Sequence, residues 1–312
     1  MDERADVVAI FRACHLCYKE KLKRKDVAKR LKCSPARVTQ LLAKAEEFGF
    51  VEIVVRPPVD DRVGAALREK IRQRLRIPLR AVYVALSRFS SVGEYAARFV
   101  EQTSEPGATL VLDGGRTVAE FVSLVEGGRL ANLTVIPICA DPPSYQSAAN
   151  ELATRLTIRC GASSHCLRPP THHGPLLAGD LRAVRKAARS ADYVVLGVGP
   201  WRPKFTALEF VRHLGVNPRT TMKQYPHVQC LSGYFAFDRD GRQIVIEEVE
   251  GRMPRALTLR DLKNLARSNR AWVVLTASSQ EKVESVRTVL KSGICNTLLV
   301  DDLLARGLLS LL

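Results

Sequence analysis

Beyond residue 58 the sequence alternates between short strand-like runs and helical patterns, and this alternation limits the chain to very few folds. Six runs rich in apolar residues have the length of strands: 81–86, 109–112, 133–138, 193–198, 271–276 and 296–300. Patterns of helical period follow several of them, at 92–103, 117–126, 281–291 and 302–311. Such alternation is typical of a mostly parallel sheet covered by helices on both faces, so we predict a Rossmann-like α/β domain. Residues 235–237 and 243–248 flank Asp240-Gly241 and predict an inserted β-hairpin.

The first 56 residues follow a different pattern. Apolar side chains recur at helical spacing over 5–18, 25–31 and 35–48, and a strand-like run follows at 50–55. Pro57 and Pro58 then end that run, because proline continues neither a helix nor a sheet interior. We therefore predict two domains, an all-α (winged) helix-turn-helix over 1–56 and the α/β domain over 57–312.

The excess of positive charge points to a polyanionic partner. The net charge is +16, and residues 19–37 contain nine basic side chains against two acidic ones. A solvated face without function is the alternative interpretation of this basic run. No apolar run reaches the roughly 18 residues that span a bilayer, and the first residues lack the pattern of a secretory signal. We expect a cytoplasmic protein without a membrane partner.

The cysteines predict no metal centre. Of eight cysteines, Cys14 and Cys17 form the one CxxC pair, and they lie within a helical apolar pattern that includes Val8, Phe11 and Tyr18. No second ligand pair completes a zinc site, so we expect reduced core cysteines and neither metal nor cofactor. A looser group is the alternative zinc site: Cys160, His165, Cys166, His172 and His173.

The second and third helical patterns predict a DNA-reading unit. One helix would bury Val27, Ala28 and Leu31, and the next would bury Val38, Leu41, Leu42, Ala45 and Phe48. Both apolar faces have to pack against the first helix, which favours a three-helix unit. Ser34 caps the start of the last helix, and Pro35 suits its first position. The turn before it places Lys32 or Cys33 in the left-handed conformation, at a cost of about 1–2 kcal/mol.

Burial of Val38 and Leu41 leaves the opposite face of that helix exposed. Arg37 and Gln40 near its N-terminus can contact base edges in a major groove, while neighbouring lysines neutralise phosphates. The predicted DNA-binding residues are Lys23, Lys25, Ser34, Pro35, Arg37, Thr39, Gln40 and Lys44. A helical hairpin that contacts another protein is the alternative.

A glycine turn after the run 109–112 predicts an anion pocket. Gly114 and Gly115 permit a close backbone approach, and the helix after them begins with unpaired N–H groups and the positive end of its dipole. Arg116 could add charge, and Thr117 a hydroxyl. The alternative is structural, because Thr117 with Glu120 also has the spacing of a capping box, which would occupy the hydroxyl.

The order of these motifs resembles the SorC family of sugar-binding transcriptional regulators. The similar segments are the helix-turn-helix, 114–117, 150–153, 196–199, 277–282 and 296–302. The resemblance implies a sugar-phosphate-isomerase fold used for sensing, with an effector held by Gly114, Gly115, Arg116, Thr117 and Lys282. Lys282 also lies at the start of a helix that follows a strand. The positive end of the helix dipole disfavours a cation there, so we expect this lysine to have a function. The sequence departs from the family pattern at three positions. The family has glycines where this chain has Ser278 and Ser279, and commonly an acidic residue where it has Tyr234.

We therefore predict a transcriptional regulator and not an enzyme. Its partners would be double-stranded operator DNA and a phosphorylated sugar, and two half-sites favour a homodimer or homotetramer. One alternative is a degenerate regulator that binds no small molecule. The other is an isomerase- or deaminase-type enzyme with Asp113 and Asp141 as an acid–base pair.

Overall fold

The computed structural model describes residues 3–51, 62–75, 77–130, 132–140, 148–164, 178–203, 205–250, 252–268 and 270–311. Contacts along the chain divide it into two compact units, Met1–Pro57 and Pro58–Leu312. The predicted domain boundary after residue 56 lies outside the described residues. None of the described helices is both long and apolar enough to cross a membrane.

The first unit is a three-helix unit. Its helices are α1 (Glu3–Cys14), α2 (Arg24–Arg30) and α3 (Pro35–Glu47), and a π-helical segment, His15–Lys19, continues α1. The buried side chains of all three helices form one apolar core: Ile10, Ala13, Cys14, Val27, Ala28, Val38, Leu41, Leu42 and Ala45. This is the packing that the sequence predicts.

Two details of that core differ from the prediction. Val8 and Phe11 are 56% and 59% exposed, and α1 instead buries Ile10 and Ala13. Both sets have helical spacing, and only the packing of α2 and α3 decides which of them faces inward. Phe48 is also exposed, at 57%, and is the C-cap residue that follows the end of α3 at Glu47. In the predicted strand 50–55, residues 50 and 51 are not in a strand and the rest lie outside the described residues.

The second unit contains eleven helices among its described residues. They are α4 (Arg62–Arg74), α5 (Val92–Thr103), α6 (Arg116–Leu124), α7 (Ala149–Cys160), α8 (Ala178–Ala188), α9 (Thr206–His213), α10 (Pro218–Gln224), α11 (Glu247–Glu250), α12 (Leu259–Arg267), α13 (Val283–Ser292) and α14 (Asp302–Ser310). The strands are β1 (Ala81–Ala85), β2 (Thr109–Leu112), β3 (Thr134–Pro137), β4 (Ser163–Ser164), β5 (Tyr193–Leu196), β6 (Gly199–Pro200), β7 (Cys230–Ser232), β8 (Phe235–Phe237), β9 (Gln243–Ile244), β10 (Trp272–Ala277) and β11 (Thr297–Asp301).

Seven strands form one parallel sheet in the order β1-β11-β10-β5-β2-β3-β4. All six predicted strands belong to it, and apolar clusters cover both of its faces, which confirms the predicted α/β class. A smaller antiparallel sheet has the order β6-β7-β8-β9. The predicted hairpin is present as β8 and β9, but its second strand is shorter than predicted because Glu247–Glu250 form the helical turn α11.

The connection between β2 and β5 determines where a ligand can bind. From β2 the chain proceeds through β3 to β4 on one side, and then returns to place β5 on the other side of β2. The loops that leave β2 and β5 at their carboxyl ends therefore diverge. In open α/β sheets this arrangement creates a crevice, which is the usual ligand-binding position.

Candidate functional site

A cavity lies at the carboxyl ends of β2 and β5. All five predicted effector-binding residues line it: Gly114, Gly115, Arg116, Thr117 and Lys282. The opposite wall is mainly apolar and consists of side chains that the prediction did not include: Val198, Ala207, Phe210, Leu231 and Tyr234. The cavity therefore has one cationic, glycine-rich end and one apolar wall.

The glycine loop leads directly into α6. Gly115 is the N-cap residue and has φ 111°, a backbone conformation that side chains other than glycine rarely adopt. The helix begins at Arg116, one residue before the predicted start, so Thr117 lies in the first turn and is not the cap. The capping-box alternative is therefore wrong, and the Glu120 carboxylate instead accepts a hydrogen bond from the Gly93 N–H at 3.3 Å. Thr117 is buried and lines the cavity.

Lys282 approaches the cavity from a different element. A 3₁₀ turn, Gln280–Lys282, follows β10, and Lys282 is the N-cap residue of α13. Burial and, second, the positive charge of Arg116 lower the pKa of Lys282 to about 8, while Asp301 acts in the opposite direction. The helix dipole also disfavours a cation at this position. An anion bound between Lys282 and Arg116 would offset both the repulsion between these two cations and the unfavourable helix dipole.

The turn that positions Lys282 contains an unusual serine. Ser279 has φ 85°, in the left-handed region, at one of the two positions where the SorC pattern has glycine. Its N–H donates to Oδ2 of Asp301 at 2.8 Å, and the same carboxylate caps α14 by accepting from the Leu304 N–H at 2.7 Å. Asp301 thus holds the strained turn in place against the end of β11.

Asp113 organises the floor of the cavity, which the sequence did not predict. Its Oδ1 accepts from the Gly114 N–H at 2.8 Å, and its Oδ2 accepts from the N–H groups of Gly197 and Gly233, both at 3.0 Å. One buried carboxylate therefore joins the loops after β2 and β5 to the turn between β7 and β8. This arrangement gives Asp113 a structural role and offers no support for the acid–base pair with Asp141, which lies outside the described residues.

Tyr234 forms the far wall. It has φ 61°, and its carbonyl oxygen accepts a hydrogen bond from Nη2 of Arg255 at 3.1 Å. Its hydroxyl oxygen accepts from the Ala149 N–H at the start of α7, at 3.4 Å, and its ring packs edge-on to Phe210 with centroids 4.7 Å apart. The only sequence signal for this position was its departure from the SorC pattern.

The predicted DNA-reading helix has the expected start and exposed face. Oγ of Ser34 accepts from the Arg37 N–H at 3.2 Å, and Pro35 occupies the first turn of α3. Pro35, Thr39 and Gln40 are exposed, and Arg37 and Lys44 are half-buried. The Arg37 guanidinium lies 3.5 Å from Oε1 of Gln40, so the two predicted base-reading side chains are adjacent on one face.

The basic residues at the start of α2 are also at the surface. Lys23 is its N-cap residue, and both Lys23 and Lys25 are exposed. The turn between α2 and α3 places Lys32 at φ 52°, so one of the two residues predicted there takes the left-handed conformation. This geometry leaves the predicted phosphate-contacting lysines accessible to a partner.

No cluster of three or more metal-ligating side chains occurs within the part of the chain that the structure describes. In the alternative zinc site, His165, Cys166, His172 and His173 lie outside the described residues. Burial raises the pKa of the Cys14 thiol, consistent with a core cysteine.

Comparisons with known proteins agree with the fold and the motifs. A family model described as "Putative sugar-binding domain" matches residues 65–310. The sorbitol operon regulator of Klebsiella pneumoniae is 21% identical over 217 residues, which cover 64% of this chain and 68% of that protein. The transcriptional regulator LsrR of Enterobacter sp. (strain 638) is 21% identical over 300 residues, covering 94% of this chain and 90% of that protein.

Solved structures show the same fold. The crystal structure of full-length sorbitol operon regulator SorC from Klebsiella pneumoniae has a TM-score of 0.64 at 19% identity, with 98% of this chain and 99% of that chain covered. A DeoR family transcriptional regulator from Listeria monocytogenes has a TM-score of 0.59 at 18% identity, with 79% and 100% covered.

These relatives are transcriptional regulators and not enzymes, in agreement with the prediction of a regulator. The family model extends over most of the chain and coincides with the α/β unit that contains the cavity. The chain therefore belongs to the SorC family of transcriptional regulators, which carry this sugar-binding domain.

Proposed function

We propose that this protein is a DNA-binding transcriptional regulator whose affinity for double-stranded operator DNA changes when a phosphorylated sugar binds in the cavity between β2 and β5. The observation that supports it most strongly is the lowered pKa of Lys282 beside Arg116, in a pocket that also contains the glycine loop. Lys282 is half-buried and is repelled by the positive charge of the exposed Arg116, so an anion bound beside both side chains gains favourable interactions with two cations.

The chemistry of the loop favours a phosphate as that anion. The backbone N–H groups at the start of α6 follow Gly114 and Gly115, and a helix N-terminus attracts negative charge. In the proposed complex these groups, the Thr117 hydroxyl and the Lys282 ammonium donate to the phosphate oxygens, and Arg116 adds charge. The remainder of the effector lies against Phe210 and Tyr234.

The three-helix unit supplies the DNA contacts. In the proposal α3 enters a major groove, Arg37 contacts guanine and Gln40 contacts adenine. Ser34, Pro35, Thr39 and Lys44 border the bases, and Lys23 and Lys25 neutralise phosphates. A homodimer or homotetramer presents two such helices to two half-sites in the cytoplasm.

Regulation requires that the effector bind one arrangement of the subunits better than another, because a ligand without such a preference shifts no equilibrium. A coupling free energy of about 1–3 kcal/mol would change the operator affinity about 5–150-fold. The two proposed sites lie in different units of the chain.

A thermal-shift screen tests the effector, with inorganic phosphate, free sugars and their phosphates as probes. Specific binding raises the melting temperature by mass action. We expect phosphorylated sugars to raise it and the matching free sugars to have no effect. Equal shifts from free and phosphorylated sugars would contradict the phosphate, and no shift from any probe would favour a regulator without a small-molecule effector.

A further inference from the structure

Most of the excess positive charge is carried by the α/β unit and not by the three-helix unit. Residues 58–312 contain 35 Lys and Arg against 24 Asp and Glu, a net charge of +11, and residues 1–57 contain 13 against 8, a net charge of +5. The effector function uses Arg116 and Lys282 only. The proposed function therefore leaves most of this charge without a role.

Part of that charge is arranged in two stripes on neighbouring helices. On α8, Arg182, Lys186 and the following Arg189 have the spacing i, i+4, i+7. On α12, the spacing i, i+3, i+7 holds for a second set: Arg260, Lys263 and Arg267. Side chains at these spacings share one face of a helix. All six are exposed except Lys263, which is half-buried.

The two helices lie side by side on one face of the parallel sheet. Nε of Arg189 donates to Oδ1 of Asp261 at 2.9 Å, which joins the end of α8 to the first turn of α12. Val184 of α8 and Leu262 of α12 belong to the same buried apolar cluster. The two stripes thus share one surface, which we call the α8–α12 surface.

The nearby described carboxylates are already used within the protein. Asp261 accepts from the N–H and the hydroxyl of Thr258 as the capping box of α12, in addition to Arg189. Asp192 accepts from the Thr109 N–H at 2.8 Å, between the starts of β5 and β2. The surface therefore keeps a large positive excess.

We propose that the α8–α12 surface binds the sugar-phosphate backbone of duplex DNA, as a contact additional to that made by α3. The inference rests on the proposed DNA binding, because a chain already held on DNA presents this surface to phosphates at high local concentration. A second copy of the same surface would be repelled by like charge. A membrane surface is disfavoured because the exposed side chains beside these cations are polar, with Asn264 between Lys263 and Arg267 and Ser268 directly after Arg267, and they form no apolar stripe.

Salt dependence of DNA binding by the full-length chain tests the proposal. The probe is a random-sequence duplex of about 60 base pairs. Each neutralised phosphate contributes about −0.9 to the slope of log K against log[salt], so the slope reports the number of phosphate contacts. The surface variant is Lys186→Gln, Arg260→Gln and Arg267→Gln. The matched control is Arg212→Gln, Arg219→Gln and Lys223→Gln, which removes the same charge from exposed positions on α9 and α10.

We expect the surface variant to reduce the magnitude of the slope by about 2–3 and the control to change it by less than about 1. Equal slopes for the two variants would overturn the proposal. It would also be overturned if the surface variant lost binding to phosphatidylserine vesicles or to an acidic protein while its slope on DNA equalled that of the natural chain. Melting temperatures of both variants within a few degrees of the natural chain show that they fold.

A Lys23→Ala, Lys25→Ala chain separates this inference from the proposed function. If the surface contacts DNA, this chain retains salt-dependent binding, and adding the surface substitutions lowers the magnitude of its slope further, by about 2–3. If the surface has no role, adding them changes nothing, while α3 still reads its sequence. A natural chain that binds no duplex at all would overturn both proposals.

Discussion

Burial and the positive charge of Arg116 together lower the pKa of Lys282 to about 8. The two cations begin different helices, α6 and α13, and line the same cavity. Their mutual repulsion is relieved when an anion lies between them. The proposed effector site is therefore electrostatically unfavourable without an anion, and the first two predictions below test this source of affinity.

Effector affinity should fall as the pH rises through 8. Lys282 binds an anion in its protonated form, which predominates below its pKa of about 8 and is lost above it. A phosphate monoester is already a dianion above pH of about 6, so its charge does not change over this range. We expect the Kd for an effector to increase about tenfold between pH 7 and 9, measured by calorimetry. Lys282→Arg should flatten the profile because arginine stays charged; an affinity independent of pH in the natural chain would contradict the prediction.

Removal of the two donors should abolish effector binding without affecting DNA. Thr117→Val with Lys282→Ala takes away a hydroxyl and an ammonium that line the cavity. At a concentration of 100 times the Kd a ligand stabilises the natural chain by about 2.7 kcal/mol, and this stabilisation should disappear from the thermal shift. The matched control is Lys291→Ala on the same helix, α13, where the lysine contacts Asp240 and not the cavity. A full shift in the double variant would place the site elsewhere.

Arg37→Ala should relax base preference at one operator position. The arginine lies beside Gln40 on the exposed face of α3, where a contact with guanine is worth about 1–3 kcal/mol. Selection of bound sequences from a random duplex library, before and after the substitution, measures the change. Lys25→Ala is the control and should weaken all sequences alike. An Arg37→Ala chain that selects the same sequences as the natural chain would show that the arginine contacts only phosphate.

Asp113→Ala should destabilise the α/β unit by about 3 kcal/mol or more, because it leaves three amide donors without their acceptor at about 1–3 kcal/mol each. Asp192→Ala is the matched control. Asp192 joins β5 to β2 at their opposite ends through one amide and is more exposed, so we expect a loss of about 1 kcal/mol. Urea unfolding followed by circular dichroism measures both, and equal losses would contradict the role given to Asp113.

Ser279→Gly should stabilise the chain by about 1 kcal/mol, because glycine adopts a φ of 85° without the steric cost that a Cβ atom incurs. Ser278→Gly serves as the control, since Ser278 is not among the residues with positive φ and the change adds only flexibility. The melting temperature should rise for the first variant and stay level or fall for the second. A fall for Ser279→Gly as large as that for Ser278→Gly would show that the positive φ of Ser279 carries no strain for glycine to relieve.

The sequence predicts those parts of the fold that are encoded locally. Each strand of the parallel sheet with four or more residues has enough apolar side chains to be recognised, whereas β4, β6 and β7 have two or three residues and carry no such pattern. The face of α1 was predicted wrongly because Val8 and Phe11 repeat at helical spacing as well as Ile10 and Ala13 do. Periodicity alone does not show which of two apolar faces meets a partner helix.

The candidate site was predictable where a motif is continuous in the chain. Gly114 to Thr117 form such a motif, and Lys282 was found through the family resemblance and its position at a helix start. Asp113 was not recognised as a structural residue because its partners, Gly197 and Gly233, lie 84 and 120 residues further along the chain. Tyr234 was not predicted to line the cavity for the same reason, because its position in the wall depends on contacts with α7 and α9, which are distant in the sequence.

The pairing of β1 with β11 has a consequence for biosynthesis. The first strand of the parallel sheet pairs along its whole length with the last, from Ala81 opposite Thr297 to Ala85 opposite Asp301. During translation β1 cannot pair with β11 until nearly the entire unit has left the ribosome. The three-helix unit, in contrast, has all of its buried core residues within the first 45 positions. The nascent chain would thus form its DNA-reading unit before its sensor, and for an interval each new molecule would be a regulator that no effector controls.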